Sequence, residues 1–70
     1  MIEVRAEITA SVLQVCVAVG DTVAVGDMIA ILESMKMEIP VTSPTGGTVV
    51  SVYVADGEDV LSGDKLADVE

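Results

Sequence analysis

The chain has 70 residues, 51% of them hydrophobic, with twelve acids against three basic side chains (Arg5, Lys36 and Lys65) and a formal net charge of −9. That length allows one small domain, and the charge argues against a nucleic-acid backbone as partner. With no His, one Cys and Tyr53 as the sole aromatic, the chain offers neither a zinc ligand set nor a base-stacking platform.

Gly, Asp or Glu interrupts the apolar residues every few positions, so no run approaches the roughly 18–20 residues that span a bilayer. The start, MIEVRAEITA, carries acids where a secretory leader carries a basic, then apolar, stretch. An unpaired Cys16 fits a reducing compartment. The expectation is a soluble, cytoplasmic monomer with no membrane partner.

Strands are predicted in chain order at 2–6, 11–17, 22–24, 28–33, 38–42, 47–54, 59–61 and 65–69, with no convincing helical period. Val, Ile and Thr suit a pleated, half-buried surface. In 11–17, Val15 and Val17 share a face while Val12 is out of phase, which predicts a bulge; Val49, Val52 and Val54 repeat the break. The same alternation turns Cys16 and Tyr53 away from the core. Gly20-Asp21, Gly26-Asp27, Gly57-Glu58 and Gly63-Asp64 mark tight turns.

An internal repeat organises these strands. At an offset of 37, residues 9–33 fall on 46–70 with ten identities in twenty-five pairs and no gap. Two copies are too few for a solenoid but suit a closed pair. The predicted fold is all-β: a flattened β-barrel or sandwich of two four-stranded antiparallel sheets with pseudo-two-fold symmetry. Residues 1–70 form one domain with internal repeats 1–33 and 38–70. The joining hairpin, Glu33-Ser34-Met35-Lys36-Met37-Glu38, is expected on the pseudo-symmetry axis, with both termini at the opposite end.

Lys36 stands at that hairpin between Met35 and Met37. A solvated tip charge explains the lysine alone, whereas two exposed thioethers beside it suit adaptable docking. The residues alone leave both readings open. The remaining acids are scattered among turns, which favours solubility over steering toward a basic partner. Cys16 has no His to serve as its base and reads as an idle thiol.

The stretches ESMKMEIPV, SPTGGTV and VADGEDVLSGDKL, preceded by SVLQVCVAVGDTVAVGDMIAILE, resemble the biotinyl (biotin/lipoyl attachment) domain of biotin-dependent carboxylases over essentially the whole chain. The chain is similar to small free-standing biotinylated carriers. The resemblance implies a carrier without catalytic residues, whose Lys36 is joined to biotin by an amide. It implies that a biotin–protein ligase recognises Met35 and Met37, with Glu33 and Glu38 beside them. It further implies a swinging arm that carries a carboxyl group between biotin carboxylase and carboxyltransferase partners. A lysine amine is protonated near neutral pH, its reference pKa being about 10.4, so activation falls to the ligase. Ser34 stands where the family often has Ala, and Ala10 where its pattern has a glycine that the second copy keeps as Gly47. Lipoyl carriers are the nearest alternative, but usually place Asp before their lysine; an unmodified interaction module is the other.

Overall fold

Branched side chains in short alternating runs give eight strands and no helix. The computed structural model describes residues 1–70: β1 (Ile2–Arg5), β2 (Ala10–Val15), β3 (Thr22–Val23), β4 (Met28–Ser34), β5 (Met37–Thr42), β6 (Gly47–Val52), β7 (Asp59–Val60) and β8 (Lys65–Val69). They form two separate antiparallel sheets, ordered β1-β8-β6-β3 and β5-β4-β2-β7. No ladder joins one sheet to the other, so the arrangement is a sandwich rather than a closed barrel. An offset of 37 carries β2 (Ala10–Val15) onto β6 (Gly47–Val52) and converts the first sheet's order into the second's.

The core obeys the same symmetry. Val12, Leu32, Val60 and Leu66 belong to one buried cluster. Their repeat partners Val49, Val69, Val23 and Ile29 belong to the other. The two clusters fill opposite halves of a body measuring 31 × 18 × 17 Å. Leu32 lies beneath the β4–β5 hairpin and Val69 beside the chain ends, so hairpin and termini occupy opposite ends, as expected. The hairpin is not on the axis, however. Its pair Leu32↔Ile39 maps onto Val69↔Ile2, whereas a segment on a two-fold axis maps onto itself. The two-fold axis crosses the middle of the body.

Both predicted bulges are present. The register slips between Val12 and Gln14 on β2 and between Val49 and Ser51 on β6. Cys16 and Tyr53 are exposed. Four turn glycines, Gly20, Gly26, Gly57 and Gly63, lie at φ between 88° and 99°, the left-handed position that follows naturally from a missing Cβ. In three of these turns the Asp after the glycine accepts a hydrogen bond from the first residue's N–H: Ala18 to Asp21, Ala24 to Asp27 and Leu61 to Asp64. Glu58 does not cap its turn in this way; Asp56 accepts the N–H of Val15 instead.

Gly47 is required for a different reason. A Cβ there would lie 2.4 Å from the Glu70 carbonyl oxygen and 3.1 Å from Val69. Gly47→Ala is expected to destabilise the domain by about 1–3 kcal/mol through overpacking, read as a lower urea midpoint at unchanged slope. Its repeat partner Ala10 already carries a Cβ and keeps the same backbone pairing, with Ala10 opposite Val60 as Gly47 is opposite Val23.

A charge network covers the outer face of the first sheet. Lys65 Nζ approaches Glu3 at 2.8 Å and Asp68 at 3.9 Å, and Arg5 reaches Glu3 at 2.6 Å. Hydrogen bonds from Lys65 and Arg5 hold Glu3 below its ordinary pKa, and the bond to Glu3 raises Lys65. A lowered acid contributes stability above its unfolded pKa and loses it as pH falls through the folded value; a raised lysine loses its share only as pH rises past its own, higher folded value. Thermal melts at several pH values should show a shallow stability loss below the ordinary carboxylate range. Glu3→Gln should flatten it.

Candidate functional site

The sequence places one short loop where the two repeats meet, and the ladder of β4 and β5 reduces it to two residues. Ser34 pairs with Met37, leaving Met35 and Lys36 as the whole loop. Both have left-handed backbone, φ 53° and 65°, the φ signature of a type I′ turn, whose twist matches that of the flanking strands. Met and Lys carry no such turn signal, so sequence reasoning had no means of finding this conformation. Each non-glycine residue held left-handed costs roughly 1–2 kcal/mol. Met35→Gly relieves one of them, less the entropy a glycine adds to the unfolded chain, and should raise stability by about 0.5–1 kcal/mol in a denaturant titration.

The turn drives its side chains outward. Met35 is 91% exposed and Met37 65%, and Lys36 is exposed beside them. Every ion pair in the molecule involves Glu3 or Lys65; Lys36 has none. An unpaired primary amine at a two-residue tip fits covalent acylation by another protein, since nothing has to be broken or moved to reach it.

Beneath the tip the outer face of the second sheet carries a row of acids. Glu38 pairs with Glu33, Glu33 with Ser11, and Ser11 with Asp59; the Ser11 hydroxyl donates to Asp59 at 2.9 Å. Like charges directly opposite on a ladder oppose pairing by about 0.2–1 kcal/mol, so Glu33 and Glu38 face each other at some expense to the hairpin. The acids are therefore less scattered than the sequence suggests, because β2 and β7 bring Asp59 into register with residues far away in the chain. Glu33, Met35, Lys36, Met37 and Glu38 all meet on this hairpin. Cys16 and Tyr53 lie elsewhere, the latter donating its hydroxyl to the buried carboxylate of Asp68.

A family model described as "Biotin-requiring enzyme" matches residues 3–69. The chain belongs to the biotin/lipoyl attachment family. Among relatives of this family, a biotinylated protein TB7.3 homolog from Mycobacterium leprae is 51% identical over 65 residues, covering 93% of this chain and 92% of that protein. The alpha3 subunit of a biotin-dependent acyl-coenzyme A carboxylase from the same organism is 39% identical over 67 residues, and there the match spans 96% of this chain but 11% of the subunit. Among solved structures, Kluyveromyces lactis urea carboxylase superposes with a TM-score of 0.91 at 32% identity over 99% of this chain and 6% of that one. The lipoyl domain of an Azotobacter vinelandii 2-oxoglutarate dehydrogenase complex superposes with a TM-score of 0.84 at 21% identity, over 100% of this chain and 96% of that one, a likeness of fold.

Proposed function

We propose that the chain is a biotin carrier of a biotin-dependent carboxylase system, with Lys36 as its attachment residue. The observation that carries this reading is the tip itself: an unpaired lysine in a two-residue turn, between two exposed methionines, at one end of a 31 Å body. The names of relatives that are biotinylated proteins or carboxylase subunits support it. The domain is a carrier rather than an enzyme, so its residues present and position the arm.

Met35 and Met37 offer a biotin–protein ligase an adaptable apolar contact on either side of the amine, and Glu33 and Glu38 border it with negative charge. A base of the ligase takes a proton from Nζ, which then attacks the carboxyl carbon of a biotinyl-adenylate made from biotin and ATP; the C–N bond forms as the carboxyl–phosphate C–O bond breaks, AMP leaves, and loss of a second proton gives the neutral amide. When attached, biotin supplies the carboxyl-accepting and carboxyl-donating chemistry, in partner active sites. The hairpin fixes where the arm starts, and tethering to it raises effective concentration into the millimolar range. The chain is read as one domain that works as a monomer in the cytoplasm.

The test is reconstitution with a purified biotin–protein ligase, biotin and ATP, followed by intact-mass spectrometry and fragment mapping. One biotinyl addition on Lys36 is expected. Modification by a lipoate ligase in its place would replace the cofactor and keep the fold; no modification by either would favour an interaction module.

A further inference from the structure

The internal two-fold supplies a control that a single-copy domain lacks, since each outer sheet face has a counterpart in the same chain. On the first sheet the register aligns Ser51, Asp68 and Glu3 in one row, with Lys65 opposite Arg5 in the next. Tyr53 joins them: its N–H donates to the Leu66 carbonyl and its hydroxyl to Asp68, and Lys65 sits 5.1 Å from its ring centre. On the second sheet the same positions hold Gln14, Ile31 and Pro40 in one row, then Cys16, Met28 and Thr42. All four ionised side chains of the first face are uncharged on the second: Asp68 becomes Ile31, Glu3 becomes Pro40, Lys65 becomes Met28 and Arg5 becomes Thr42.

The fold needs neither set, because it builds the same sheet with both. The two faces differ in what they leave unmet. Arg5 and Lys65, the only basic side chains apart from Lys36, are both spent on Glu3 and Asp68, so the centre of the first face is neutralised internally. The second presents an uncharged centre in which Met28 is 40% exposed and Cys16 and Pro40 are exposed. Acids border that centre at both ends. Glu33, Glu38 and Asp59 lie toward the tip, and Asp21 and Asp27 line the hollow that Cys16 and Met28 share. None of these five has a cationic partner within the molecule; the same is true of Glu58, Asp64 and Glu70, the repeat partners of Asp21, Asp27 and Glu33, so the second face is set apart by its uncharged centre and by Glu38 and Asp59, whose partners are Met1 and Thr22. The second sheet is also the one that contains β4 and β5, so a protein seated on it lies directly under the arm.

We propose that the outer face of the β5-β4-β2-β7 sheet is the surface on which the carrier docks the biotin carboxylase component, and that the pseudo-symmetric face is not. The complementary surface has an apolar centre for Met28, Ile31 and Pro40 and a rim of Lys or Arg for the acids at either end. Apolar centre within a polar rim is the usual anatomy of a specific protein contact, and the unpaired acids supply its charge complementarity. The inference rests on the carrier reading above.

Exchange of face character tests it without altering net charge. Met28→Lys with Pro40→Glu gives the second face the pair that Lys65 and Glu3 form on the first, at exposed positions where that pair has a working precedent. Lys65→Met with Glu3→Gln, also charge-neutral, is the control on the opposite face. Each biotinylated protein is titrated as substrate for a purified bacterial biotin carboxylase subunit of the acyl-coenzyme A carboxylase class, following ATP cleavage, and is checked by thermal melting. The Met28→Lys/Pro40→Glu protein should show KM raised at least about tenfold, the loss of one 1.4 kcal/mol step, with kcat and ligase modification unchanged. The control should keep KM within twofold. Unchanged KM in the first protein, or an equal rise in both, overturns the docking assignment alone. A wild-type carrier that takes biotin but supports no turnover overturns the assignment together with the carboxylase reading, and one that takes no biotin fails at the earlier step.

Discussion

Lys36→Arg is expected to abolish biotin attachment and to leave the fold as it was. A guanidinium stays protonated at any pH a protein survives, so no nucleophilic nitrogen forms at the tip even though size and charge are kept. The lysine has no ion pair to lose, and an exposed replacement of this kind should alter stability by less than about 0.5 kcal/mol. Lys65 cannot substitute for it. That amine is held at 2.8 Å by Glu3 and lies over the Tyr53 ring on the body of β8, and the same contacts raise its pKa and disfavour the free amine. Intact mass after incubation with ligase should therefore equal that of the untreated variant. A second variant separates position from chemistry. Exchanging the two turn residues, Met35→Lys with Lys36→Met, keeps a lysine in the loop but moves it to the first left-handed position and removes Met35 from its side. Modification should fall sharply there too. Full modification of that protein would mean that the ligase needs only a lysine at the tip, and that the turn's geometry does not select it.

Most of the architecture was legible in the sequence because symmetry doubles each signal. One Gly-Asp pair is a weak turn marker, whereas Gly20, Gly26, Gly57 and Gly63 at a constant offset define four corners at once. The phase breaks at Val12 and Val49 likewise corroborate each other as bulges. The hairpin with Lys36 was visible from the repeat junction, but its backbone was not, since left-handed φ at Met35 and Lys36 contradicts the local preference of both residues. Local rules are commonly broken where a site needs them broken. Asp68 was hidden for a different reason. It is 3% exposed at a position whose partner in the other copy is Ile31, and alternation says which face a residue takes without saying what covers it. Tyr53 reaches it with its hydroxyl, which donates to the carboxylate. In the row Asp59–Ser11–Glu33–Glu38 only the last pair is local to the hairpin; Ser11 meets Glu33 from 22 residues away and Asp59 from 48, and adjacency of that kind is not written in any local pattern.

Leu32→Ala should have the largest effect on stability of any single substitution considered. Leu32 is 1% exposed and packs in the cluster of Ala6, Ala10, Val12, Val60 and Leu66 beneath the hairpin. Truncating a buried Leu to Ala costs about 2–5 kcal/mol, the spread reflecting how far the cavity can collapse. Collapse is limited here, because four of its five buried neighbours are Ala or Val, short side chains with little reach. A domain of this size has a total stability of roughly 4–10 kcal/mol, and with no Phe or Trp in the chain it lacks large aromatic burial to draw on. The variant should melt well below the wild type and populate unfolded molecules measurably at 37 °C. The symmetric partner offers a comparison within the same molecule: Val69→Ala removes a smaller side chain from the other cluster and should cost less. The location of the damage matters more than the difference in size. Leu32 supports the strand that carries Glu33 and Ser34 into the turn, so amide exchange on the hairpin should accelerate more in Leu32→Ala than in Val69→Ala when the two are compared at matched global stability. Equal exchange on the hairpin at matched stability would mean that the two halves of the core open as one unit, and that the tip draws its rigidity from the whole sandwich.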